Sequence, residues 1–188
     1  MTSEKPRREK CIILLLQSHS FLIFVMNIIT KILERLKIVV DIGSGRGYPS
    51  SALSNFAPHP FVIDGIQCAS MEGFLQSLKF ESPEMQEFVC SLVGKKAKFK
   101  GKGKRWQRTQ TLWWRGEPIK RDSEEYQNLL DRAFDALNEN EGFRAALGAT
   151  GNAVLTHSIG KKNEKETVLT AKEFTSRLTK LREKNRKK

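Results

Sequence analysis

Ser70-Met71-Glu72 sets an acid in what would be the first turn of a helix capped by the Ser70 hydroxyl. The partial positive charge at a helix N-terminus favours an ionised carboxylate, so Glu72 suits a general base or a group that stabilises a developing cation. The plainer reading makes it a first-turn acid matched to the helix dipole and nothing more. Upstream, Gly43-Ser44-Gly45-Arg46-Gly47 offers backbone N–H groups to an anion, and Arg46 brings a forked pair of donors suited to a phosphate. A surface turn with a solvated Arg46 would read the same way.

The strongest electrostatic signal runs from Lys95 to Arg121. Eleven Lys or Arg residues stand there against one acid, Glu117, with Phe99, Trp106, Trp113 and Trp114 interleaved. Aromatic faces among cations suit stacking on a base with phosphate contacts alongside, so nucleic acid is the expected partner. Tryptophans packed under a solvated basic face are the alternative. The whole chain agrees in sign, with a net charge of +12 over 188 residues, which favours polyanionic partners.

Helices must position most of these groups. Ser70 caps one with Met71, Phe74, Leu75 and Leu78 at helical spacing, and Ser82-Pro83 opens a second, with Gly94 as its stop. Ser123 to Asn140 is a third, Phe143 to Leu147 a short fourth, and Thr170 with Glu173 forms a capping box ahead of a last helix. Strands are few: Ile38–Ile42, Phe61–Ile63 and Val154–His157. The fold class is therefore α+β, a compact and mostly helical single domain with a few short strands. A Rossmann-type methyltransferase, suggested by Asp41, the glycines and Asp64, needs more strands and a crossover helix, and Pro49, Pro58 and Pro60 stand where that helix should pack.

Residues 1–37 read as an N-terminal extension, 38–183 as the domain and 184–188 as a basic tail. Within the extension, residues 11–30 are apolar behind a basic flank, but Gln17, Ser18, His19 and Ser20 interrupt the run. Membrane anchoring is the weaker expectation, and Met26 offers an alternative start. Cys11, Cys68 and Cys90 have no CxxC spacing, so a reducing, cytoplasmic compartment is expected. No HExxH, calcium loop or zinc-spaced Cys/His set occurs, so no metal and no cofactor are expected.

One ordered set is more specific. Ser54-Asn55-Phe56, Phe61-Val62-Ile63, Asp64-Gly65, Ser70-Met71-Glu72 and Phe74-Leu75-Gln76-Ser77-Leu78-Lys79-Phe80 follow one another in a way that resembles the signature of the NADAR family, named for NAD and ADP-ribose and including the YbiA-type N-glycosidases. The resemblance continues more thinly to about residue 183. It implies hydrolysis of the ribose C–N bond of ADP-ribosyl or related nucleotide ribosides, with removal of ADP-ribose from guanine in nucleic acid as one form and riboflavin-pathway intermediates as another.

The resemblance further implies Glu72 as the catalytic carboxylate and Asp64 near the ribose hydroxyls, although Asp64-Gly65 is also an ordinary turn signal. It assigns substrate contacts to Ser44, Arg46, Asn55, Phe56, Lys79 and His157, and a base-stacking role to Trp113 or Trp114. The match departs after His157, where the first acid is Glu164 rather than one a few positions on. That departure tells against the riboflavin-pathway substrate, and a polar strand end with no chemical role is the other reading of His157. A non-catalytic ADP-ribose or nucleic-acid binding module would use the same loop and basic stretch without needing Glu72.

Overall fold

Side-chain caps start five of the helices where the sequence places them. In this computed structural model, which describes residues 22, 24–29, 31–33, 36 and 38–187, Ser70 caps α1 (Met71–Ser77) and Ser82, followed by Pro83, caps α2 (Pro83–Cys90). Helix α3 (Gly94–Gly101) starts at Val93 with no side-chain cap. Ser123 and Asn140 cap α4 (Glu124–Leu137) and α5 (Glu141–Ala149), and the Thr170–Glu173 capping box opens α6 (Ala171–Arg186). Each such cap satisfies an otherwise orphaned N–H and stabilises its helix by about 1 kcal/mol.

The strands pair two by two. β1 (Val39–Asp41) pairs with β6 (Val154–Thr156), whereas β2 (Phe61–Ile63) with β3 (Ile66–Cys68), and β4 (Thr111–Trp114) with β5 (Glu117–Lys120), are antiparallel hairpins. Asp64-Gly65 closes the first hairpin and Arg115-Gly116 the second, with positive φ at both central residues of each turn, the twist that suits a two-residue hairpin. Among the described residues the glycine loop after β1 leads through turns, with no crossover helix, to the antiparallel β2–β3 hairpin, and the Rossmann reading has no structural counterpart. The α+β class, mostly helical with short strands, holds.

Helix α1 lies at the centre, buried along its whole length. Phe74, Leu75 and Leu78 face a core completed by Leu129, Leu130 and Phe134 of α4 and by Phe174 and Leu178 of α6. Trp114 stacks edge-on against Phe74 at 5.2 Å, and the Trp113 amide donates to the Leu78 carbonyl at 2.8 Å. The second hairpin thus braces α1 from behind. Gly73 allows α2 to come close, since a Cβ there would sit 2.7 Å from the Leu92 carbonyl oxygen and 2.8 Å from that of Cys90.

Three local expectations differ from what is seen. Gly94 does not stop α2, which ends at Cys90, but begins α3. The strands β3, β4 and β5 were not read from the sequence. The expected basic tail from residue 184 is helical as far as Arg186, because Lys184 pairs with Asp135 and Asn185 exchanges amide hydrogen bonds with Asn138. Contacts divide the chain into Met1–Val39 and Val40–Lys188. In the first unit, residues 24–29 and 31–33 are helical, while residues 11–21 of the apolar segment lie outside the described residues. No helix among the described residues is long and apolar enough to cross a membrane.

Candidate functional site

Glu72 emerges from the first turn of α1 onto the floor of a cleft of about 440 Å³. Its position is fixed from both sides: its own N–H donates to the Asn55 carbonyl at 2.8 Å, and Ser70, which caps the helix, donates its hydroxyl proton to the Leu92 carbonyl at 3.0 Å. The carboxylate accepts from Gln76 Nε2 at 2.9 Å, one turn along the helix. Glu72 is only 7% exposed. Burial pushes its carboxyl above the usual range, and the Gln76 hydrogen bond with the ammonium groups of Lys98 and Lys79 pulls it part of the way back.

The cleft is cationic around this acid. Burial lowers the Lys79 pKa, opposed by the attraction of Glu72, and Lys98 lowers it further. Lys98 comes from α3 and also lies over the Phe56 ring at 5.5 Å. The facing wall is the segment between β6 and α6, which contributes His157, Ile159, Lys161 and Glu166 through Leu169. His157 Nδ1 donates to the Ile42 carbonyl at 2.8 Å, which leaves Nε2 as the nitrogen able to accept. Trp106, only 6% exposed, closes another side from the 3₁₀ turn Trp106–Arg108.

That facing wall is anchored from the core. The Tyr126 hydroxyl donates to the Val168 carbonyl, and Arg121 donates Nε to the Thr167 carbonyl at 2.9 Å and Nη2 to Glu173 at 2.7 Å. Arg121 is fully buried against the Tyr126 ring. At the opposite corner Asp41 accepts from the Ser158 amide and hydroxyl, from Thr156 and from Arg46.

The expected site residues divide accordingly. Ser44, Asn55, Phe56, Glu72, Lys79 and His157 line one cleft. Arg46, Asp64, Trp113 and Trp114 do not: Arg46 is bound to Asp41, and Asp64 lies on the β2–β3 turn, accepting from Trp114 Nε1 and Arg132, each at 2.8 Å. The tryptophan at the cleft is Trp106, which stands in the sequence only as one of the interleaved aromatics. Gln76, Lys98 and Glu166 were not singled out either. Gln76 was visible one helical turn after Glu72, and Glu166 follows the acid-poor stretch after His157 by only a few residues. Among the described residues no group of His, Cys, Asp and Glu is arranged to hold a metal ion.

A family model described as bacteriophage protein GP30.3 matches residues 47–183, which takes in α1, the basic stretch and most of α6. The chain belongs to the bacteriophage protein GP30.3 family. It also resembles an uncharacterized 17.1 kDa protein in the Gp30-rIII intergenic region of enterobacteria phage T4, with 43% identity over 147 residues, 77% of this chain and 97% of the phage T4 protein. The NMR structure of the E. coli protein YbiA is similar with a TM-score of 0.54 at 20% identity, covering 79% of this chain and 84% of that one. The expected NADAR resemblance therefore holds for the fold of this GP30.3 family member.

Proposed function

We propose that the protein is an N-glycosidase that hydrolyses the ribose C–N bond of ADP-ribosyl or related nucleotide ribosides. One observation carries the reading: a buried carboxylate, Glu72, on the floor of a cleft whose nearest charges are two lysines, Lys79 and Lys98. Cleavage of such a bond builds positive charge on the anomeric carbon and the ring oxygen of the ribose, and a fixed carboxylate beside it lowers the barrier. The same group, with its pKa raised by burial, is suited to take the proton of the attacking water. The water hydroxyl joins the anomeric carbon, the C–N electron pair leaves with the base, and the proton that Glu72 took from the water passes to that base, which frees the carboxylate again.

The other wall residues fit the remaining parts of such a ligand. Lys79, Lys98 and Lys161 offer charge to a diphosphate, the Trp106 ring offers a face for the base, and His157 Nε2 is an acceptor for a hydroxyl. The motif from Ser54 to Phe80 resembles that of the NADAR family, and the YbiA fold is consistent with the same class. Removal of ADP-ribose from guanine in nucleic acid is the form favoured by the ten exposed cations between Lys95 and Lys120. Arg121, counted with them from sequence, is a buried structural residue instead.

The test is a screen of nucleotide ribosides and ADP-ribosylated DNA, with free base and free ADP-ribose followed by mass spectrometry. The parent should release one of them, and Glu72→Gln should retain binding while turnover falls by roughly a hundredfold or more. ADP-ribose binding with no release from any riboside would identify a binding module instead, and near-normal turnover in Glu72→Gln would remove the carboxylate from the chemistry.

A further inference from the structure

The Gln76 amide has an unusual environment. Its Nε2 donates to Glu72, but its Oε1 is buried with no hydrogen-bond partner. That oxygen occupies the space where a side chain of Gly101 would begin: a Cβ on Gly101 would lie 2.1 Å from Oε1 and 3.0 Å from the amide carbon. Gly101 is the last residue of α3, so the helix that carries Lys98 ends against the amide that holds Glu72. Alanine is normally the better helix residue, and only the close approach of Gln76 argues against it here.

We infer that Gln76 is a positioning residue for Glu72, and that the absence of a side chain at Gly101 is what allows it to take that position. Turning the amide over would set Oε1 against the Glu72 carboxylate, two acceptors facing each other, so the arrangement with Nε2 toward Glu72 is the one compatible with an ionised acid. A Cβ on Gly101 would overlap Oε1 in that arrangement, so the amide keeps its place only while residue 101 has no side chain. Gln76 thus favours the charged form of Glu72 and fixes its direction. The other charged or titratable groups around Glu72 are Lys79 just past the C-terminal end of its own helix, Lys98 on α3, and His157, Lys161 and Glu166 on the facing wall.

The inference rests on the N-glycosidase reading for its catalytic meaning, and its test is independent of any substrate. The Glu72 carboxyl is titrated by ¹³C NMR in the parent and in Gly101→Ala, Gln76→Ala, the Gln76→Ala/Gly101→Ala double variant and Gly103→Ala. A Cβ at Gly103 meets nothing within 4 Å. Gly101→Ala and Gln76→Ala should each move the Glu72 titration to higher pH, the double variant should match Gln76→Ala alone, and Gly103→Ala should match the parent. In the turnover assay the acid limb should move the same way, with kcat at neutral pH lower by about tenfold to a hundredfold.

Gly101→Ala titrating like the parent, or its effect persisting in full when Gln76 is already alanine, would overturn the inference. If Gly101→Ala does not fold, Gln76→Met fills similar volume without the N–H donor and must still raise the Glu72 titration. If the titrations behave as stated and no riboside is cleaved, the functional reading fails and the positioning role stands.

Discussion

Trp114 Nε1 donates to Asp64 Oδ2 at 2.8 Å across the faces of two separate hairpins. Both residues carried functional expectations, and they meet each other rather than the cleft. Trp114 is 5% exposed, so its N–H depends on this carboxylate, and Arg132 supplies the second bond. Asp64→Ala should cost about 1–2 kcal/mol in urea denaturation, the penalty of leaving a buried donor unmade. Turnover of any riboside that the parent cleaves should stay within roughly threefold. A large loss of kcat without a loss of stability would place Asp64 in the chemistry, as the family resemblance implies.

Glu72 should behave in the opposite sense. Its carboxyl is pushed up by burial, so the folded state holds its proton more tightly than the unfolded state does. The stability linked to that proton is complete below the unfolded value and is lost as pH rises through the folded one. Glu72→Gln should therefore raise the denaturation midpoint at pH 7 relative to pH 4, even as it removes turnover. Equal stability differences at both pH values would show that the acid is not held in the buried environment described.

Asp41 provides the reverse case. Burial opposes its ionisation, but hydrogen bonds from Ser158 and Thr156 and the charge of Arg46 outweigh it and hold the carboxyl below the usual range. Stability from this group is present above the unfolded value and disappears as pH falls through the folded one. Asp41→Asn should be clearly less stable than the parent at pH 7, and the difference should shrink as pH falls below the ordinary carboxylate range, as read from thermal unfolding at each pH.

Arg121→Met should be among the most damaging single changes. The guanidinium has no exposed surface and its partner Glu173 is only 16% exposed. Removing one member of such a pair strands the other and costs about 3–5 kcal/mol. The same change releases the Thr167 carbonyl, so the cleft wall should exchange amide protons faster at Thr167–Leu169 even where the rest of the protein stays folded.

Charge reversal at Lys100, Lys102, Lys104 and Arg105 should leave hydrolysis of a small riboside nearly unchanged, since none of them lines the cleft. All four are exposed, and Lys100 and Lys102 lie over the rings of Phe88 and Phe99, which are themselves exposed. Affinity for single-stranded DNA should fall, and the dependence of binding on salt should flatten by several units of slope. An unchanged slope in a salt titration would assign these cations to solvation alone.

How legible this arrangement was depends on local signals. The caps at Ser70, Ser82, Ser123 and Thr170 could be read because a hydroxyl before an apolar period has one economical structural explanation. The Asp64-Gly65 turn was equally plain. The Arg115-Gly116 turn does the same backbone work with a residue that seldom takes a positive φ, and Glu117 to Lys120 is mostly exposed, so neither turn nor strand left a mark. Gly94 reads as a stop because glycine commonly ends helices. Its positive φ of 54° shows a glycine placed for a bend at the start of α3, where a Cβ would lie in ordinary contact with Phe56, 3.6 Å away.

The site itself was half legible for a similar reason. Glu72, Asn55, Phe56 and Lys79 lie within one short motif, so their proximity follows from α1 and the loop that leads to it. Trp106 and Trp114 are chemically alike in sequence, and only the packing of the 3₁₀ turn that carries one and the hairpin that carries the other decides that one reaches the cleft while the other backs the helix. Nothing local encodes that choice.

The two sides of the cleft are made at different times. Glu72 and the loop that seats it leave the ribosome well before Val168 and Leu169, the residues of the opposite wall. At about 5–20 residues per second the gap amounts to roughly 5–20 s. During that interval the nascent chain carries its acid with no enclosure around it, and β1 waits for β6. The last helix therefore works as a completion step: until α6 docks and Arg121 finds Glu173, there is a carboxylate and no cavity for it to serve.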